Sequence, residues 1–257
     1  MGAKTGLLAL SDGDIRPALR GASRSGLAEA GALVRRVHQD YVQRGYTVEA
    51  VGDSSLDDCY PPDDSTCVTI LPGAELLCDR RFMLDRPSQL PAHILSLGAA
   101  QRVTLHAMHS VVDWLAFAIW ENGTLARSLS VSPGDGIVED IGEPCDFEVP
   151  YWAGEHPVVP VPGWPSQGPY PLPFHPLELG EDALRALFGF ILEGRQEPGD
   201  IDPSEVHMHE FRVSDPTGQE QARREAAMKQ AVAQMGTPRR FRLGPDGALH
   251  EITRDNP

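Results

Sequence analysis

Apolar residues fall in short runs cut by Gly, Pro, Asn and Asp, and their period changes along the chain. Residues 5–10 are nearly all apolar, the pattern of a strand covered on both faces. Leu27, Ala30, Val34, Val37 and Tyr41 recur at helical spacing, which predicts one amphipathic helix over residues 24–44, capped by Ser23 and stopped by Gly45. Residues 46–51, 66–71 and 102–108 read as further strands. Ser88 opens a helix running to about Gly98, with Pro91 tolerated in its first turn. Residues 181–193 form another amphipathic helix, and residues 206–213 read as an edge strand.

The strongest local signal is a hairpin. Residues 114–120 and 124–131 flank Glu121-Asn122-Gly123, and Asn-Gly accepts the positive φ angles of a tight turn. Trp114, Ala116, Ala118 and Trp120 lie on one parity, with Leu115, Phe117 and Ile119 on the other, so this strand is expected to be covered on both sides. The fold class expected is α/β or α+β. It has a mixed sheet with a central Asn-Gly hairpin, helices packed on at least one face, and a long loop rich in proline and aromatic residues.

That loop is residues 144–176, with ten prolines. Proline removes backbone donors and fixes φ, which argues against ordinary helix or central strand. Phe147, Tyr151, Trp152, Trp164, Tyr170 and Phe174 argue for a packed segment over the domain rather than a bare linker. Beyond residue 213, Thr217 and Glu220 form a capping box before a helix over residues 220–235 whose apolar stripe is mainly alanine. The expected organisation is one acidic domain over residues 1–213 and a peripheral helical tail over 214–257.

Charge narrows the partners. The formal net charge is -15, and the tail is near balance with seven basic and six acidic residues, so the body holds 15 basic against 31 acidic. Such a surface repels nucleic acid and anionic lipid, leaving a protein or a small molecule as the expected partner. Cys59, Cys67, Cys78 and Cys145 show no zinc-like spacing and read as free buried thiols. The first apolar run breaks at Asp12-Gly13-Asp14, too early for a signal peptide, and no run reaches membrane-spanning length, so a cytoplasmic location is expected.

Four groups could carry chemistry. Asp12 and Asp14 follow the first strand, where paired carboxylates can hold Mg²⁺ or attack phosphorus; a solvated turn is the plainer reading. His106, His109 and Asp113 offer donors for Zn²⁺, Mn²⁺ or Fe²⁺, although His106 and His109 point to opposite faces of an extended chain. Arg127 shares the covered parity of Leu129 and Val131, so it needs either an anionic ligand or a structural carboxylate such as Asp135, Glu139, Asp140 or Glu143. His207 and His209 alternate and therefore face the same way, the geometry of a weak surface metal site. No P-loop, dinucleotide fingerprint or nucleophile elbow is present.

The run HAMHSVVDWLAFAIWENG over residues 106–123 resembles the central signature of a family of uncharacterised actinobacterial proteins. Supporting segments are MGAKT (1–5), DGD (12–14), YPPD (60–63), LDRPSQLP (84–91), RSLSVSP (127–133), EDIGEP (139–144), YWAGEHP (151–157) and YPLPFHPLELG (170–180). The resemblance covers about residues 1–213 and implies a domain of unknown function and an actinobacterial source, but no activity.

Two functions are expected from different classes. The first is a non-enzymatic binding or protein-interaction module without a cofactor, in which Arg127, Trp152, Trp164 and Phe174 would contact the ligand. The second is a metal-dependent hydrolase or phosphohydrolase using Asp12, Asp14, His106, His109 and Asp113 around a divalent ion such as Zn, Mn or Mg. There Asp12, Asp14, His106 and His109 would be the ligands.

Overall fold

The computed structural model describes residues 2–97, 102–159, 170–234, 241–244 and 249–251. The chain divides into two compact units, Met1–Pro157 with Pro171–Ser214, and Val158–Tyr170 with Asp215–Pro257. The first unit opens with strand β1 (Lys4–Ser11), helices α1 (Arg16–Arg20), α2 (Leu27–Val37) and α3 (Gln39–Gln43), and strand β2 (Thr47–Ser55). Strands β3 (Ser65–Leu71) and β4 (Ala74–Cys78), helix α4 (Ala92–Leu97), and strands β5 (Arg102–His109), β6 (Trp114–Glu121), β7 (Thr124–Ser132) and β8 (Gly136–Ile141) follow. Helices α5 (Val149–Trp152) and α6 (Pro176–Phe188) then lead to strand β9 (His207–Ser214).

These strands form one sheet in the order β2-β9-β3-β4-β1-β5-β6-β7-β8, and every pairing is antiparallel. The mixed sheet of an α/β or α+β fold is therefore not what the chain makes. Two of the helical connections do join strands that run in the same direction, β1 to β2 and β4 to β5. Between the members of each pair, however, other strands are inserted: β4, β3 and β9 in the first case and β1 in the second. Antiparallel neighbours thus fill places that a parallel sheet would give to crossover partners.

Position in the sheet explains the burial patterns. β1 is the central strand and is buried along almost its whole length. The Asn-Gly hairpin forms, with φ of 50° at Asn122 and 76° at Gly123, but it joins β6 to β7 near the β8 edge rather than at the centre. Both parities of β6 are buried because both faces are covered. On one face Leu8, Leu10, Val68, Leu77, Leu105 and Phe211 pack with Ala30, Leu33, Val34 and Val37 of α2. On the other, α6 lies so close that a Cβ on Gly180 would fall 2.7 Å from Met108 Sδ and 3.3 Å from a Leu115 methyl.

Several expected boundaries move for identifiable reasons. The single helix over 24–44 is two helices, broken at His38, whose Nε2 lies 3.0 Å from Thr66 Oγ1 and 3.1 Å from the buried Asp79 carboxylate. Gly26, rather than Ser23, caps α2. α6 begins at Pro176 and stops at Gly189, which has φ 83°, so Ile191 and Leu192 lie beyond it. β9 is an interior strand, not an edge; β2 takes the edge. β4 and β8 follow turns at Pro72-Gly73 and in residues 133–135 that the hydrophobic pattern did not announce. In the proline-rich stretch, Pro150 sits in the first turn of α5, where a missing N–H costs nothing.

The second unit holds helix α7 (Gln219–Gln234) and an antiparallel pair of strands, β10 (Phe241–Leu243) with β11 (Leu249–Glu251). The tail is therefore not purely helical. Among the described residues, no helix is long and apolar enough to cross a membrane.

Candidate metal centre

The site is built by the insertion of β9 beside β2. In that register Asp53 stands opposite His209, and Ser55 stands opposite His207. Alternation along β9 places His207 and His209 on the same face as Phe211 and Val213, the face covered by α2. A β-bulge between Ala50 and Gly52 resets β2 by one residue. Without it Asp53 would oppose Met208 and point to the other face, so the bulge is what aims the carboxylate at the imidazoles.

Asp53 Oδ1 lies 3.0 Å from His209 Nδ1 and 3.2 Å from His207 Nε2. One ligand atom from each residue falls within 4.8 Å of the other two, and no other such trio of His, Cys, Asp or Glu occurs among the described residues. Neighbouring ligands on a tetrahedral ion with bonds of 2.0–2.1 Å are roughly 3.3 Å apart, close to both nitrogen–oxygen separations. The His209 Nε2–H donates to the Ser25 carbonyl at 2.9 Å. Nδ1 hydrogen-bonds Asp53 Oδ1, and an ion bound there would replace that contact while the Ser25 bond keeps the ring oriented, as second partners do for metal-binding histidines. Arg24 donates to the second Asp53 oxygen at 2.6 Å and orients the carboxylate.

Three polar atoms at this corner are buried without a hydrogen-bond partner: both ring nitrogens of His207, and Ser25 Oγ. His207 Nε2 is near Asp53 but not aligned for a hydrogen bond. Buried polar atoms are nearly always satisfied, so three without a hydrogen bond beside one carboxylate are an exception in this fold. Desolvation pushes the Asp53 carboxyl up, but the His209 hydrogen bond and the Arg24 and His207 charges outweigh it and hold the group below the usual carboxylate range. Two imidazoles and one carboxylate suit Zn²⁺, Co²⁺ or another first-row ion better than Mg²⁺.

The residues singled out for the other metal reading do not meet. β1 pairs with β5 so that Ser11 faces Arg102 and Lys4 faces His109. Asp12 and Asp14 follow the Ser11 end, and His109 is at the Lys4 end, about 23 Å away at the rise of an extended strand. Asp14 is held by a fork of bonds to Arg16. Asp12 lines a shallow pocket with Gly13, Pro17 and Gly73. His106 is fully buried with both nitrogens in use, Nδ1 at 2.9 Å from Thr5 Oγ1 and Nε2 at 2.9 Å from the Gly180 carbonyl. Burial pushes its pKa down to about 4. His109 packs edge-on against Tyr60 and its Nδ1 accepts from the Val111 N–H. Asp113, with φ 49°, lies in the β5–β6 turn, 3.7 Å from His175.

Arg127 is also buried, and its guanidinium is taken up by the chain. Nε and one terminal nitrogen grip the two oxygens of Glu148 at 2.9 and 2.6 Å, while the other donates to Asp140 and to the Ile141 and Gly142 carbonyls. Its partners are Asp140, one of the anticipated acids, and Glu148, which was not anticipated. Trp152 donates to Glu148 and packs edge-on against the buried Phe174. Trp164 lies outside the described residues.

Sequence alternation exposes the His207 and His209 pair. Asp53 escapes it, because no local signal says that β2 pairs with a strand some 150 residues later or that a bulge corrects its parity.

The first unit is thus an all-antiparallel sheet protein with a candidate histidine–carboxylate metal centre at the β2–β9 pair. The chain belongs to a family of unknown function (DUF6928), whose family model matches residues 5–211 and so takes in every residue of the centre. No curated protein and no solved structure matches the chain.

Proposed function

We propose that this domain is a metal-binding module that takes one divalent transition-metal ion through Asp53 Oδ1, His207 Nε2 and His209 Nδ1. The observation that carries this reading is the pair of buried His207 ring nitrogens that make no hydrogen bond, beside an aimed carboxylate and a second imidazole held by Ser25. Three protein donors leave at least one coordination position open, as in sites that bind or activate a further ligand. A non-enzymatic binding role therefore keeps support, now at the β2–β9 edge instead of the proline-rich loop, where Phe174 is buried and Trp152 is engaged. The hydrolase arrangement around Asp12, Asp14, His106, His109 and Asp113 has no shared centre to support it. The free cysteines, three of them buried, suit a reducing compartment and support a cytoplasmic setting.

The test is titration of chelator-treated protein with Co²⁺ and Zn²⁺. Saturable one-to-one binding is expected, with visible Co²⁺ absorption that Zn²⁺ displaces and that His207→Ala and Asp53→Asn abolish. Absence of saturable binding, or binding indifferent to both substitutions, overturns the reading.

A further inference from the structure

Arg24 stands beside the proposed centre in a chain whose formal net charge is -15. Arg24 is exposed, with 62% of its side chain accessible, and the hydrogen bond seen for its guanidinium uses a single terminal nitrogen, on Asp53 Oδ2. A guanidinium has five donors in a planar fork that fits the oxygens of a carboxylate or phosphate. Next to it, Ser25 Oγ is a buried hydroxyl with no partner, and the Ser25 carbonyl is the group that fixes His209. A divalent ion and Arg24 together exceed the single charge of Asp53, so the loaded site carries uncompensated positive charge. The chain as a whole carries a formal charge of -15, so a loaded centre would differ in sign from the molecule's average.

Resting on the metal reading above, we propose that the bound ion's open position takes an oxyanion, a carboxylate or phosphate group, that bridges the metal to Arg24 and Ser25 Oγ. The metal supplies the attraction and Arg24 the orientation. In this arrangement Asp53 organises both, with Oδ1 toward the ion and Oδ2 holding the guanidinium in place. The ligand class is set by geometry: a neutral or cationic group would leave the charge uncompensated and the fork unused.

The experiment uses the full chain saturated with Co²⁺, whose absorption reports its coordination sphere. Inorganic phosphate and acetate are titrated separately into the wild-type protein and into Arg24→Ala and Arg24→Lys, each first shown to be Co²⁺-saturated. A saturable spectral change in the wild type is expected with one or both anions. It should weaken about tenfold or more in Arg24→Ala and recover in part in Arg24→Lys. The anion that binds more tightly identifies the group. If Co²⁺ binds but neither anion changes the spectrum, or Arg24→Ala responds like the wild type, the oxyanion proposal fails and the metal site stands. If Co²⁺ does not bind, the metal reading itself has failed.

Discussion

Arg127 and Glu148 meet in a two-pronged ion pair, with the side chains 2% and 0% exposed, where β7 is crossed by the segment leading into α5. Glu148 also accepts from the Cys145 N–H and from the Trp152 indole, so one carboxylate fixes a strand and the start of the proline-rich segment together.

Breaking that pair from one side strands a charge in the interior. Arg127→Met is expected to destabilise the first unit by about 3–5 kcal/mol, and Glu148→Leu by a similar amount. The double substitution should recover part of the loss, because no fully buried charge is left unpaired, while the Cys145 N–H and the Trp152 indole still lose their acceptor. Urea unfolding of the three variants checks this; an additive double mutant would show that the pair does not act as a unit.

The two histidines of the proposed centre should differ in their structural weight. His209 is almost fully buried and bonded on both nitrogens, so His209→Ala should cost the metal-free protein about 2 kcal/mol. His207 has no hydrogen bond to lose, and His207→Ala should stay within about 0.5 kcal/mol while removing metal binding. Equal losses for the two would argue that both rings serve the fold alone.

Metal should stabilise the folded chain by mass action. At a hundred times the dissociation constant the gain is about 2.7 kcal/mol, read as a rise in thermal midpoint that a chelator reverses. His207→Ala should abolish the rise. A shift that persists in that variant would place the ion elsewhere.

His106 predicts an acid-sensitive component of stability. Its folded pKa is lowered from 6.5 to about 4 by burial, so the unfolded chain takes up the proton first as the solution is acidified. The contribution is complete above about pH 6.5 and is lost as pH falls through about 4, on the order of 3 kcal/mol in all. His106→Gln, which cannot titrate, should have a lower starting stability and a flatter profile across this interval. An unchanged slope would assign the acid sensitivity to other groups.

Much of the strand content was legible because the β1 and β6 runs are too apolar on both parities to be anything but covered strands, and Asn122-Gly123 fixes its own turn. Strand order was not, since a hydrophobic run carries no record of its neighbour. The expected mixed sheet would need some parallel neighbours, and nothing local reveals that β4, β3 and β9 stand between β1 and β2. His38 broke a predicted helix for a tertiary reason, its contact with Thr66 and Asp79. At the candidate centre, the alternation of His207 and His209 could be read directly, whereas Asp53 became visible only through pairing across the sheet.

Among the described residues, strand β2 pairs with β9 alone. During synthesis Asp53 is made long before the strand that will hold it, and β2 can take its place in the sheet only once residues 207–214 have been made. Pairings so distant in sequence are slow to form, and a waiting strand is open to wrong partners. Both histidines ride on that late-arriving strand. An ion that needs all three ligands can therefore be captured only by chains that have closed the sheet, which would make it a clasp on the last and least local step of folding.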